Sequence, residues 1–190
     1  MRHPVTFVFL IAFTVRLGYA ILIQFLYPES IYLFDSWGYL NIAYNLFNEG
    51  VFSQMIGDQL TADSTRTPFY PIYIYLFHLL QLHGEWIIFI QALIGAFTAA
   101  IAARCALLIK RNRLAAFVVG LLVAFDIPSV YFSNTVLPET WFGFFLVCAL
   151  LYLIKSVKYD EPSHRIYVML FLVLATYTKP IAIYLLIAMP

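Results

Sequence analysis

Asp35, Arg66, Glu139 and Lys179 are the charged side chains best placed for chemistry. Each stands at the edge of a long apolar run, in Phe34-Asp35-Ser36-Trp37-Gly38-Tyr39, Thr65-Arg66-Thr67-Pro68, Leu137-Pro138-Glu139 and Thr178-Lys179-Pro180. A carboxylate at a boundary between apolar and aqueous phases can take a proton from an attacking hydroxyl. A guanidinium or ammonium there can hold a phosphate, including one that leaves. Together they suit a reaction on a lipid-linked phosphate. Each also has a structural alternative. Asp35 can cap a helix, Arg66 can be a solvated loop charge, Glu139 can complement a helix dipole, and Lys179 can snorkel to headgroups. Tyr39 and Tyr70 fit an aromatic interface belt as well as substrate contacts. His78 and His83 lack the spacing of a metal pair, and no glycine-rich nucleotide loop or Ser/His/Asp pattern is present.

The elements that must position these groups are apolar. Of the 190 residues 63% are hydrophobic and 11% charged, too little polar surface to cover a soluble globule. The apolar runs are continuous, which points to spanning helices and an all-α, polytopic transmembrane bundle. A net charge of +1 gives no footprint for nucleic acid. Cys105 and Cys148 fall inside apolar runs and read as buried thiols.

Val5 to Tyr27 is long enough to span and is expected to be a retained anchor, with Arg2 and His3 placing the N-terminus in the cytoplasm. Residues 28–85 form the outer loop. Within it, Tyr39, Ile42, Ala43, Leu46 and Phe47 recur at helical spacing from Ser36 to Glu49, with Asn41, Asn45, Asn48 and Glu49 on the other side, and Gly50 ends the helix. Val51 to Thr67, with Gly57 and Asp58, reads as irregular. Phe69 to Leu82 is short for a span, and the positive-inside rule favours its lying in the outer interface. Trp86 to Ile109 then runs inward to the basic cluster Lys110 to Arg113. Leu114 to Phe132 returns outward, Asn134 to Glu139 is an outer turn, and Thr140 to Ile154 runs inward. Lys155 to Arg165 is a cytoplasmic loop, Ile166 to Tyr177 runs outward, and Thr178 to Pro180 is an outer turn. A sixth span beginning at Ile181 stops at Pro190. The 190 residues are therefore expected to be one transmembrane domain, the N-terminal part of a longer chain.

Arg16 and Asp126 lie deep in their spans. An unpaired charge there is costly, so the two are expected to face each other as a structural salt bridge. As mid-membrane charges they also fit a transporter or flippase fragment. A non-catalytic assembly subunit is a further alternative, for which Asp35 would be dispensable. Polar residues concentrate in the outer loop rather than at the midplane, which favours an enzyme.

The order of motifs resembles the GT-C membrane glycosyltransferases, in the branch that groups dolichyl-phosphate-mannose–protein mannosyltransferases with bacterial aminoarabinose transferases of lipid A. The resemblance rests on Asp35-x-x-x-Tyr39 after one span, Arg66-Thr67-Pro68 with Tyr70-Pro71, Gln91-Ala-Leu-Ile-Gly95, Leu137-Pro-Glu139 and Thr178-Lys-Pro180. It implies a polyprenyl-phosphate sugar donor, inverting transfer at the outer or lumenal face, and a glycan, lipid or protein acceptor. It makes Asp35 the catalytic acid of the first outer loop. Arg66 and Lys179 would face donor phosphate, and Glu139 would be a second outer acid. Relatives often carry Asp-Glu where this chain has Asp35-Ser36. No metal ligand set is named, and a divalent metal stays open.

Overall fold

The computed structural model describes residues 3–56 and 59–187. Arg2, Gly57, Asp58 and Pro190 lie outside them. Three helices are long and apolar enough to cross a membrane: α1 (Pro4–Leu26), α4 (Glu85–Lys110) and α7 (Glu139–Tyr159). Shorter helices are α2 (Phe34–Glu49), α3 (Phe69–Leu79), α5 (Arg113–Ala124), α6 (Ile127–Phe132), α8 (Pro162–Thr178) and α9 (Ile183–Ile187). The chain is an all-α integral membrane protein with, among the described residues, one small hairpin.

Helix α4 is the central element, packed on α1, α5 and α7. Ala92, Ala96, Ala99 and Ala103 recur every three or four residues along one buried face. Small side chains let helix backbones approach closely where lipid supplies no hydrophobic drive between helices. Gly120 of α5 continues this packing, since a Cβ there would meet Val8 at 2.6 Å and Ala103 at 2.9 Å.

The expected span from Leu114 to Phe132 is broken. α5 stops at Ala124, and α6 restarts with Asp126 as its cap, whose Oδ2 accepts from the Ser129 N–H at 2.9 Å. Pro128 explains the break, because it has no N–H to give the carbonyl of Ala124 four residues earlier. Arg16 fills that place. Its guanidinium, fully buried, donates to Ala124 O at 3.1 Å, Val123 O at 3.2 Å, Ala12 O at 3.3 Å and Ser129 Oγ at 2.9 Å. Gly95 makes room for it, since a Cβ there would fall 2.5 Å from Arg16 Nε. The expected Arg16–Asp126 salt bridge is therefore corrected. Among the described residues the two form no direct ion pair and meet only through Ser129. A broken helix offers the arginine carbonyls and gives the aspartate an N–H to cap.

Helix α2 forms as expected. Leu33 donates its N–H to Ser36 Oγ at 2.9 Å, and Gly50 terminates the helix at φ 67°. Asn45 departs from the polar face. It is buried and its amide donates to Ser53 O at 2.9 Å, which fastens α2 to the segment after it. The described residues of that segment pair instead of being irregular: β1 (Ser53–Ile56) is antiparallel to β2 (Gln59–Ala62), Ser53 opposite Ala62.

Helix α3 is about 16 Å long at 1.5 Å per residue, roughly half a hydrocarbon core. Both of its flanks return to the segment after α1. Arg66, before it, packs on Gly38, and Gly84, after it, packs on Tyr32. The helix thus lies along one end of the bundle instead of crossing it. Tyr70, Tyr73 and Ile74 bury against Ala43, Ile87, Ile88 and Val136.

Two other turns depart from expectation. Residues 133–138, in the expected outer turn, are buried instead of lying open to solvent, held by Val136 N–H to Ile31 O at 2.9 Å. The Lys155–Arg165 loop shrinks to Asp160 and Glu161. Lys155 and Lys158 extend α7, and Arg165 lies in α8. Asp160 makes the reversal at φ 48°. Lys158 donates to Leu108 O near the end of α4, so this turn and the Lys110–Arg113 cluster share the end of the bundle remote from α2 and α3.

Candidate active site

The site is built from two acid–base pairs. Asp35 stands in the first turn of α2, where the helix dipole favours a carboxylate. It is not the helix cap: that place is taken by Leu33, with Ser36 satisfying its N–H. The Asp35 side chain is 72% exposed, and its Oδ1 lies 4.0 Å from a guanidinium nitrogen of Arg66, which is 24% exposed. The pair is loose, and the carboxylate faces water.

Arg66 is held from three directions. Its N–H donates to Asp63 Oδ1 at 2.8 Å, its guanidinium lies over the Tyr39 ring at 5.3 Å, and it fills the space that a Cβ on Gly38 would take. Burial acts to raise the Asp63 carboxyl, but bonds from Arg66 N–H and from the Thr65 hydroxyl and N–H outweigh it and hold it below its ordinary value. Asp63 is a site-forming residue beyond those expected. The Asp63-x-Thr65 spacing is the legible signal, because an aspartate that bonds the backbone two residues on builds a turn.

Lys179 follows α8 in extended backbone, and its Nζ donates to Glu139 Oε1 at 2.7 Å. Glu139 opens α7 directly after Pro138. Its other oxygen, Oε2, has no hydrogen-bond partner among the described residues. It lines a cavity of about 160 Å³ with Asp126, Ser129 and Thr140.

The two pairs are joined. Thr67 Oγ1 donates to Thr178 O at 2.7 Å, which ties the residue after Arg66 to the residue before Lys179. Tyr39 lies between them. Burial raises its phenol above the ordinary value, Glu139 and Asp35 add to the rise, and Arg66 opposes it. Beside Arg66 runs a groove of about 370 Å³, lined by Thr65, Thr67, Tyr177, Pro180 and Ile183.

Tyr70 is a correction. It is fully buried, its ring edge meets Tyr39 at 5.3 Å, and its hydroxyl donates to Gln91 Oε1 at 2.8 Å. It supports Tyr39 from behind and does not face the groove. Among the described residues, no three His, Cys, Asp or Glu side chains gather to hold a metal ion.

The family model described as dolichyl-phosphate-mannose-protein mannosyltransferase matches residues 82–185, more than half of the chain and a range that includes Glu139 and Lys179. No curated protein and no solved structure matches. Matched over that range, and built as a helical membrane bundle with its acid–base pairs at one end, the chain belongs to the dolichyl-phosphate-mannose–protein mannosyltransferase family of GT-C-type membrane glycosyltransferases.

Proposed function

We propose that the chain carries the acid–base end of an inverting glycosyltransferase that uses a polyprenyl-phosphate-linked sugar at the outer membrane face. The observation that carries this reading is the link between the two pairs, which gathers two cations and an exposed carboxylate at one end of a membrane bundle. Asp35 takes the proton of the acceptor hydroxyl. The acceptor oxygen then forms its bond to the anomeric carbon on the face opposite the phosphate. The bond from that carbon to phosphate oxygen breaks, and its electron pair leaves with the polyprenyl phosphate. Arg66 and Lys179 meet the charge that develops there, where preorganised donors count most. Lys179 has three donors, so a phosphate can join Glu139 as a second partner. The groove beside Arg66 suits the phosphate and the first isoprenoid units. The acceptor is a glycan, lipid or protein hydroxyl. The basic far end of the bundle faces the cytoplasm by the positive-inside rule.

The break at Arg16 and Asp126 is the feature that favours a transporter, because broken helices at the midplane mark such sites. Here the freed carbonyls are already bonded to Arg16, which makes the break structural.

The test is sugar transfer by the full-length protein in liposomes carrying a radiolabelled polyprenyl-phosphate sugar. Transfer is expected, and Arg66→Ala should raise the donor KM and lower kcat, because the phosphate contact is lost in both ground and transition states. Movement of the labelled lipid between leaflets without transfer would establish the transporter instead.

A further inference from the structure

The Gln91-Ala-Leu-Ile-Gly95 stretch has no part in the chemistry above, yet Gln91 is fully buried with both halves of its amide engaged. Its Oε1 accepts from the Tyr70 hydroxyl at 2.8 Å, and its Nε2 donates to the Thr135 carbonyl at 2.7 Å. The orientation of the amide follows from its partners, since a carbonyl can only accept.

Each partner leads to one limb of the site. Tyr70 backs Tyr39, and Tyr39 carries Arg66 over its ring. Thr135 belongs to the buried turn that runs through Pro138 into Glu139, the partner of Lys179. Among the described side-chain hydrogen bonds, those of Gln91 alone join α3 to this turn.

We propose that Gln91 is a positioning residue that sets the separation of Arg66 from Lys179, so that one donor phosphate meets both cations. This rests on the donor-phosphate reading above. An amide on a helix suits the task, because it is rigid once both ends are bonded, and a shift of about 1 Å in supporting groups can cost much of a site's activity. The competing explanation is that Gln91 only satisfies buried polar groups for the sake of stability.

The two separate by kinetics. Full-length wild type, Gln91→Leu, Tyr70→Phe and the double variant are reconstituted with a polyprenyl-phosphate sugar as the donor, and melting temperature, kcat and donor KM are measured. A pure stability defect lowers the active fraction and so the apparent kcat, but it leaves KM unchanged. Positioning predicts a donor KM raised about fivefold or more in Gln91→Leu, because binding to one cation is lost along with alignment. Tyr70→Phe should give a smaller rise. The double variant should be no worse than Gln91→Leu, since the Tyr70 bond is already gone there. An unchanged KM in Gln91→Leu overturns the proposal, and if that variant does not fold, Tyr70→Phe decides by the same criterion. Absence of transfer by the wild type refutes the donor reading and the positioning role with it. Transfer by the wild type with unchanged KM in the variants refutes the positioning role alone.

Discussion

Arg16→Met is the perturbation that most sharply tests how the bundle is held. Methionine keeps the apolar stem and removes the guanidinium. It leaves Ala124 O and Val123 O, which accept at 3.1 and 3.2 Å, without their donor. Each buried carbonyl left unsatisfied costs about 1–3 kcal/mol. Fraying of the last turn of α5 recovers part of this, so the expected loss is about 2–4 kcal/mol. Thermal or denaturant unfolding in micelles measures it. The second half of the test is Pro128→Ala in the Arg16→Met background. Alanine supplies the N–H that Ala124 O lacks, so the double variant should regain about 1 kcal/mol or more. Asp126→Asn should cost under about 1 kcal/mol, because asparagine still caps the Ser129 N–H. A direct buried ion pair losing one partner would instead cost about 3–5 kcal/mol. A large loss in Asp126→Asn, or no rescue by Pro128→Ala, would refute the reasoning that the arginine serves the broken helix.

Three further outcomes follow from the geometry. Gly38→Ala places a Cβ on the Arg66 guanidinium, the mobile end of a long side chain, so it should alter stability by less than about 1 kcal/mol; kinetics should show a raised donor KM from the displaced cation. Asp63 has a depressed folded-state pKa, so its contribution to the order of the loop before Arg66 is present above the unfolded carboxylate value of about 3.9 and is lost as pH falls through the folded one. Hydrogen exchange of the Arg66 amide should accelerate across that fall beyond the intrinsic pH dependence, and in Asp63→Ala at every pH. Cysteines at Gly84 and Lys110 should label from opposite sides of the membrane with an impermeant reagent, Gly84 from outside; labelling of Lys110 from outside, or of Gly84 from inside, would mean that α3 crosses the membrane.

The sequence shows best what depends on local pattern. The extent of α1 follows from its apolar run, and the end of α2 follows from Gly50. Gathering of the two pairs at one end could be expected from turn placement. What was hidden depends on tertiary partners or on masking by composition. The Leu114–Phe132 run reads as continuous because only Asp126-Ile-Pro128 interrupts it, although aspartate just before a proline is also a helix start. Gly57-Asp58 between Met55-Ile56 and Gln59-Leu60 is a hairpin signal overshadowed by polar neighbours. Tyr70 looks like a surface aromatic in sequence. It is buried against Ala43, Ile87 and Val136, its hydroxyl is met by Gln91, 21 residues away, and Gln91 is fixed by Thr135, 44 residues farther on. No periodicity encodes such pairings.

The central claim is that Asp35 is the base for sugar transfer, and the initial rate of Asp35→Asn measures it most directly. Asparagine keeps the size and the polar contact to Arg66 but cannot accept the proton. In the full-length protein, with a polyprenyl-phosphate sugar donor at saturation, the account predicts a fall in rate of roughly 10²-fold or more at unchanged melting temperature. Transfer by Asp35→Asn at the wild-type rate would contradict it.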